Sequence, residues 1–188
     1  MIANAASLPR AGNVSLSALL EGSAFLHEGM GRTMTQTKRS SSGYDLTPLN
    51  SNQRNVLALA LTAEERRVIL NQGTEPPFCG TLLNNKESGI YACRLCGLPL
   101  FRADNKFESG TGWPSFYQGI DDAHIAEISD TSHGMLRIEI RCARCDGHLG
   151  HVFADGPPPT HKRYCLNSIS MRFYPKGVEP QQQVGGGE

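Results

Sequence analysis

Two short cysteine pairs constrain this chain more than any other feature. Cys93-Arg94-Leu95-Cys96 and Cys142-Ala143-Arg144-Cys145 are CxxC knuckles. Two intervening residues let both thiolates of a knuckle reach one ion, and a second knuckle completes the tetrahedral four-sulfur site that Zn2+ favours. The predicted centre is a single structural zinc held by Cys93, Cys96, Cys142 and Cys145. Four thiolates leave no open position for a substrate. The stretch between the knuckles, Gly97 to Arg141, is longer than in a usual zinc ribbon, so a sheet rather than one hairpin has to bring them together. A rival reading makes one CxxC a redox pair; bound zinc would exclude it, because a ligated thiolate is not free to cycle. A metal staple suits this composition. Hydrophobic residues make up 39% of 188, and Gly 20 and Pro 11 make the chain rich in loops.

Charge narrows the function. Lys+Arg 18 balances Asp+Glu 18, which argues against a nucleic-acid partner and against an anionic membrane surface. The longest apolar run, Val56 to Leu61, is far too short to span a bilayer. There is no clear secretory signal, so six cysteines point to metal or redox chemistry rather than a disulfide framework. Residues 1–45 are rich in Ser, Ala and Gly and only weakly basic. They read as a disordered extension, with a short helix around Leu16 to Phe25. The expected location is cytoplasmic, with mitochondrion or plastid as the alternative if 1–45 is a transit segment and Met34 as an alternative start. Residues 176–188, Gln- and Gly-rich, read as a flexible tail.

Local signals place the elements. Thr62-Ala63-Glu64-Glu65 fits a capping box at a helix start, with Gly73 and Pro76-Pro77 as its stop. A shorter helix is expected over Gln53 to Ala60. Gly89 to Cys93 is β-prone. Leu136, Ile138, Ile140 and Cys142 alternate with charged residues as in a half-buried strand. Tyr164 to Tyr174 is the longest strand candidate, with Cys165, Asn167, Ile169, Met171 and Phe173 on one face.

Four ligands leave Cys79 and Cys165. Taken singly, each is most simply a buried small hydrophobe or an inert surface thiol. Upstream of Cys165, however, Gly147-His148-Leu149-Gly150-His151-Val152-Phe153 offers two imidazoles. A thiolate near an imidazolium is the basic arrangement of a cysteine nucleophile. The only tryptophan, Trp113, stands in Gly112-Trp113-Pro114-Ser115 on a tight loop, where it can form an apolar wall for a small ligand group.

These residues, with Phe78-Cys79-Gly80, His133-Gly134-Met135 and Arg163-Tyr164-Cys165-Leu166-Asn167-Ser168, stand in the order found in methionine-R-sulfoxide reductases of the B type. The chain resembles that family over about residues 46–175, which would be its catalytic domain. The resemblance implies a mainly β fold of two curved antiparallel sheets, a β-tent, with short N-terminal helices and a structural zinc. It implies reduction of the R epimer of methionine sulfoxide in oxidised proteins, with thioredoxin as reductant and a monomeric enzyme. It makes Cys165 the nucleophile, His148, His151 and Asn167 the polar active-site residues, and Trp113 the aromatic that receives the substrate methyl. Many members carry the resolving cysteine where this chain has Thr111. Cys79 matches the alternative resolving position of a subset. A zinc-held binding module without chemistry is the remaining alternative, and it requires Cys165 to be inert.

Overall fold

Side-chain caps set both helices in the computed structural model, which describes residues 37–185. Asn50 accepts from the Gln53 amide while the Gln53 side chain reaches back, and this starts α1 (Ser51–Ala58) two residues earlier than expected. Thr62 and Glu65 exchange the same pair of bonds at the start of α2 (Ala63–Ile69), as the capping box predicts. Its buried Val68 and Ile69 face the core. The helix ends a full turn before Gly73. The helix expected around Leu16 to Phe25 lies outside the described residues.

The rest is mainly β. Among the described residues nine strands follow: β1 (Gly89–Cys93), β2 (Pro99–Arg102), β3 (Lys106–Phe107), β4 (Ser115–Phe116), β5 (Ile125–Asp130), β6 (Arg137–Cys142), β7 (His148–Phe153), β8 (Arg163–Leu166) and β9 (Met171–Pro175). They form two antiparallel sheets, one ordered β2-β1-β9 and one ordered β3-β4-β8-β7-β6-β5. Aromatic rings from both sheets meet in the core. Phe101 on β2 stacks on Phe116 on β4 with centroids 4.6 Å apart, and Tyr91 on β1 meets the same ring edge-on at 4.9 Å. All three side chains are fully buried.

The strand expected from Tyr164 to Tyr174 is not one strand. It breaks after Leu166, passes through a 3₁₀ turn at Ser168–Ser170, and resumes as β9 in the other sheet. Period-two alternation continues through the junction, so the pattern conceals the crossover. Cys165 and Asn167 therefore do not share the face of a single strand.

Both ends of the described chain fold onto the body. Arg39 and Asp45 form a bridge, Ser41 and Ser42 donate to the Asp121 carboxylate at 2.6 and 3.1 Å, and Leu46 is buried. Near the C-terminus the Gln182 side-chain amide exchanges bonds with the backbone of Asp45, and the Gln183 amide donates to the Cys96 carbonyl. The reason lies in Arg144, which is only 2% exposed. A buried guanidinium needs acceptors, and it finds the carbonyls of Cys96 and Gln183. Polar residues that read as tail and extension thus serve a buried charge. No helix among the described residues is long and apolar enough to cross a membrane.

Candidate active site and metal centre

Each CxxC is the turn of a hairpin. Cys93 ends β1 and Cys96 leads into β2; Cys142 ends β6 and Cys145 leads into β7. The two turns repeat one hydrogen-bond scheme. The Gly97 amide donates to Cys93 and the Asp146 amide to Cys142, while the first cysteine's own amide donates across the turn to Leu98 or Gly147. One knuckle comes from each sheet, and all four sulfurs lie within 4.8 Å of one another. Cys93 and Cys145 stand 3.5 Å apart, as do Cys96 and Cys142. A tetrahedral zinc with bonds of about 2.3 Å needs sulfurs about 3.8 Å apart, so the quartet fits the ion.

Cys165 lies mid-sheet on β8, paired with Ser115 of β4 on one side and His151 of β7 on the other. It opens into a pocket of about 130 Å³, whose lining includes Trp113, His151, Phe153, Arg137 and Asn167. Burial pushes the Cys165 thiol up. The Thr111 hydroxyl, 3.9 Å from its sulfur, and the Arg163 guanidinium pull it partly back. Arg163 precedes Cys165 by two residues on β8, which puts it on the same face. It is aimed by a bidentate pair with Asp155, both bonds 2.9 Å, and by the Phe153 ring at 4.4 Å.

Residues three apart on a regular strand face opposite ways, yet the His148 and His151 rings meet edge-on with centroids 5.7 Å apart. A register shift opposite Ile140 and Arg141 reverses the parity of β7 between them. Gly150 makes the shift possible, because a Cβ there would run into the Cys165 carbonyl oxygen. The two imidazoles are not equivalent. His151 lines the Cys165 pocket and bonds Asp130 through Nε2 at 2.8 Å. His148 is 2% exposed and lines an adjoining polar cavity instead. Its Nδ1 bonds Glu139 at 2.6 Å and its Nε2 has no partner. Burial lowers its pKa against the pull of Glu139. Hydrogen bonds from Ser132 and His151 hold Asp130 below the usual carboxylate range.

The structure thus brings Cys165, His151, Trp113 and Asn167 around one pocket and sets His148 behind it. The Asn167 amide is already committed. Its oxygen accepts from the Glu75 amide at 2.9 Å and its nitrogen donates to the Leu149 carbonyl at 3.2 Å. Cys79 is exposed and does not line the pocket that holds Cys165. Sequence reasoning missed Arg163, Asp130, Glu139 and Glu75. Two-residue spacing from Cys165 signals Arg163. Glu139 reaches His148 from the adjacent β6 and Asp130 reaches His151 from the end of β5, one strand further out, which no local pattern reveals.

A family model described as the SelR domain matches residues 61–175. The chain is 57% identical over 145 residues to the peptide methionine sulfoxide reductase MsrB of Xylella fastidiosa strain M23, covering 77% of this chain and 94% of that one. It is 59% identical over 139 residues to the protein of the same name from Caulobacter vibrioides strain NA1000, covering 74% and 87%.

Proposed function

The chain belongs to the SelR-domain family that contains these MsrB proteins, and from that premise we propose that it reduces the R epimer of methionine sulfoxide in oxidised proteins to methionine. The observation that carries the reading is the pocket itself: a thiol, an imidazole and an indole converge on a space sized for one side chain. The Cys165 thiolate attacks the sulfoxide sulfur. His151, the imidazole that lines the pocket, protonates the oxygen as the adduct between the two sulfurs forms. The resulting hydroxyl passes from the substrate sulfur to the Cys165 sulfur as the bond between the two sulfurs breaks, so methionine leaves with the electron pair and Cys165 is left as a sulfenic acid. Trp113 receives the methyl group, and methyl, oxygen and main chain in separate places give epimer selectivity. Glu139 orients His148, which packs against His151 and holds its ring. The zinc, when bound at the four cysteines, supplies structure and no chemistry.

Cys79 then condenses with the sulfenic acid, forming a disulfide and releasing water, and a thioredoxin dithiol reduces that disulfide by exchange. Three observations favour Cys79. It is exposed, and the neighbouring Phe78 amide donates at 2.8 Å to Gly112, next to the Thr111 that touches Cys165. Phe78 also has φ +63°, a conformation that costs a side-chain-bearing residue about 1–2 kcal/mol. A segment strained at that point is poised to move. The enzyme acts as a monomer in the cytoplasm, or in mitochondrion or plastid should 1–45 prove a transit segment.

The test compares wild type with Cys79→Ser on peptides carrying each sulfoxide epimer. Wild type should turn over the R epimer and leave the S epimer. Without reductant, its tryptic map should show a Cys79–Cys165 disulfide. Cys79→Ser should yield one methionine per chain and then stall under thioredoxin, while dithiothreitol sustains turnover by reducing the sulfenic acid directly. Full thioredoxin-coupled turnover in Cys79→Ser would remove Cys79 from the cycle.

A further inference from the structure

One buried carboxylate stands between the segment that carries Cys79 and the substrate pocket, and every hydrogen-bonding group of its residue is engaged there. Glu75 is 7% exposed. Its carboxylate accepts from the amides of Ser168 at 2.6 Å and Ile169 at 3.1 Å, at the crossover between β8 and β9. Its own amide donates to the side-chain oxygen of Asn167 at 2.9 Å. Its carbonyl accepts from the Trp113 indole Nε1 at 3.0 Å. Gly80 closes over the same group: a Cβ there would meet the Glu75 Oε1 at 2.7 Å and collide with the Ser168 hydroxyl.

We propose that Glu75 is a positioning residue that holds the Trp113 indole as the wall of the substrate pocket, by anchoring its own backbone to the Ser168–Ile169 turn. The inference rests on the reading of that pocket as a methionine sulfoxide site. Trp113 makes one polar contact through its indole, and that contact ends on a backbone carbonyl in a loop. Such a loop holds its place only if something anchors it. The four residues after Glu75 are exposed, and two of them are prolines without an amide to donate. The two carboxylate bonds supply the anchor, because charged acceptors make the strong hydrogen bonds.

A wall that touches the methyl group in both ground and transition states contributes uniform binding, so loosening it raises KM and spares kcat. Glu75→Gln keeps the shape, but its amide turns a donor toward one of the two backbone donors. Its KM for a sulfoxide peptide should rise about tenfold with kcat nearly unchanged, the scale of one lost charged hydrogen bond. Trp113 is the only tryptophan, so its emission reports the wall directly and should shift to longer wavelength in the variant. In a Trp113→Phe background the same substitution should leave KM unmoved, since the effect acts through the indole. A purely structural role would lower the melting temperature equally in both backgrounds and split neither KM from kcat nor the emission. A second measurement needs no variant and no turnover. In the wild type the single indole N–H should exchange slowly with deuterium, because it is bonded to the Glu75 carbonyl. Fast indole exchange in the folded protein overturns the proposal, as does a Glu75→Gln variant with wild-type KM and emission. Wild type without sulfoxide turnover but with a protected indole would instead overturn the functional reading and leave the anchor standing.

Discussion

Replacing Cys93 by serine is expected to remove the metal and most of the fold's stability with it. Cys93 lies at the end of β1 and its sulfur faces Cys145, which belongs to the β6–β7 hairpin of the other sheet. The four-sulfur centre is therefore a cross-link between sheets. In sites of this kind metal-binding free energy is folding free energy, about 10 kcal/mol or more in small zinc domains. Whole domains are stable by only about 5–15 kcal/mol. Even half of that binding energy would bring this chain close to unfolding. The loss reaches catalysis through the chain itself, because His148 follows Cys145 by three residues and β7 carries both imidazoles. Elemental analysis should find one zinc per chain in wild type and none in Cys93→Ser, and the variant's unfolding midpoint in urea should fall sharply. Chelator alone should act slowly on wild type, since every ligand is at most 2% exposed and the site must open first. A zinc-free protein with wild-type stability would show that the four thiols pack as a core without an ion.

What the chain reveals by itself is what depends on near neighbours. The capping box of α2, the strand β1 and the paired knuckles are all carried by residues within a few positions of one another, and all were legible. Two features of the site were not. Alternation through Tyr164 to Tyr174 reads as one strand, and it fails at Ser168 and Ile169 because their amides are captured by Glu75, which lies far away in sequence. Likewise, His148 and His151 at a spacing of three look like opposite faces of a strand. The register shift that brings them together depends on pairing with β6 and on the close approach of Gly150 to Cys165. Composition misled in a third place. Gln182 and Gln183 look like tail, yet they serve Asp45 and the knuckle around the buried Arg144.

Cys165→Ser is expected to abolish reduction of methionine-R-sulfoxide, by about a thousandfold or more, as removal of a sole nucleophile does. The argument turns on the anion. Burial already pushes the Cys165 thiol up, so the resting enzyme holds little thiolate at neutral pH, and the Thr111 hydroxyl and the Arg163 guanidinium offset only part of that. A serine hydroxyl is a far weaker acid than any thiol, and the same surroundings leave it without a usable anion. The fold should survive, because serine is isosteric and the pocket has space beside it. Circular dichroism and zinc content are therefore expected to match wild type. The raised thiol has its own signature. In a Cys79→Ser background, alkylation of Cys165 by iodoacetamide should accelerate with pH through and beyond the ordinary thiol range, since only the thiolate reacts. Arg163→Met removes the charge that favours the thiolate, so its alkylation profile should lie further to the alkaline side. An alkylation midpoint near neutrality would mean that a histidine, not burial, dominates the thiol. Residual turnover in Cys165→Ser would place the nucleophile elsewhere, and the exposed Cys79 would be the first residue to replace.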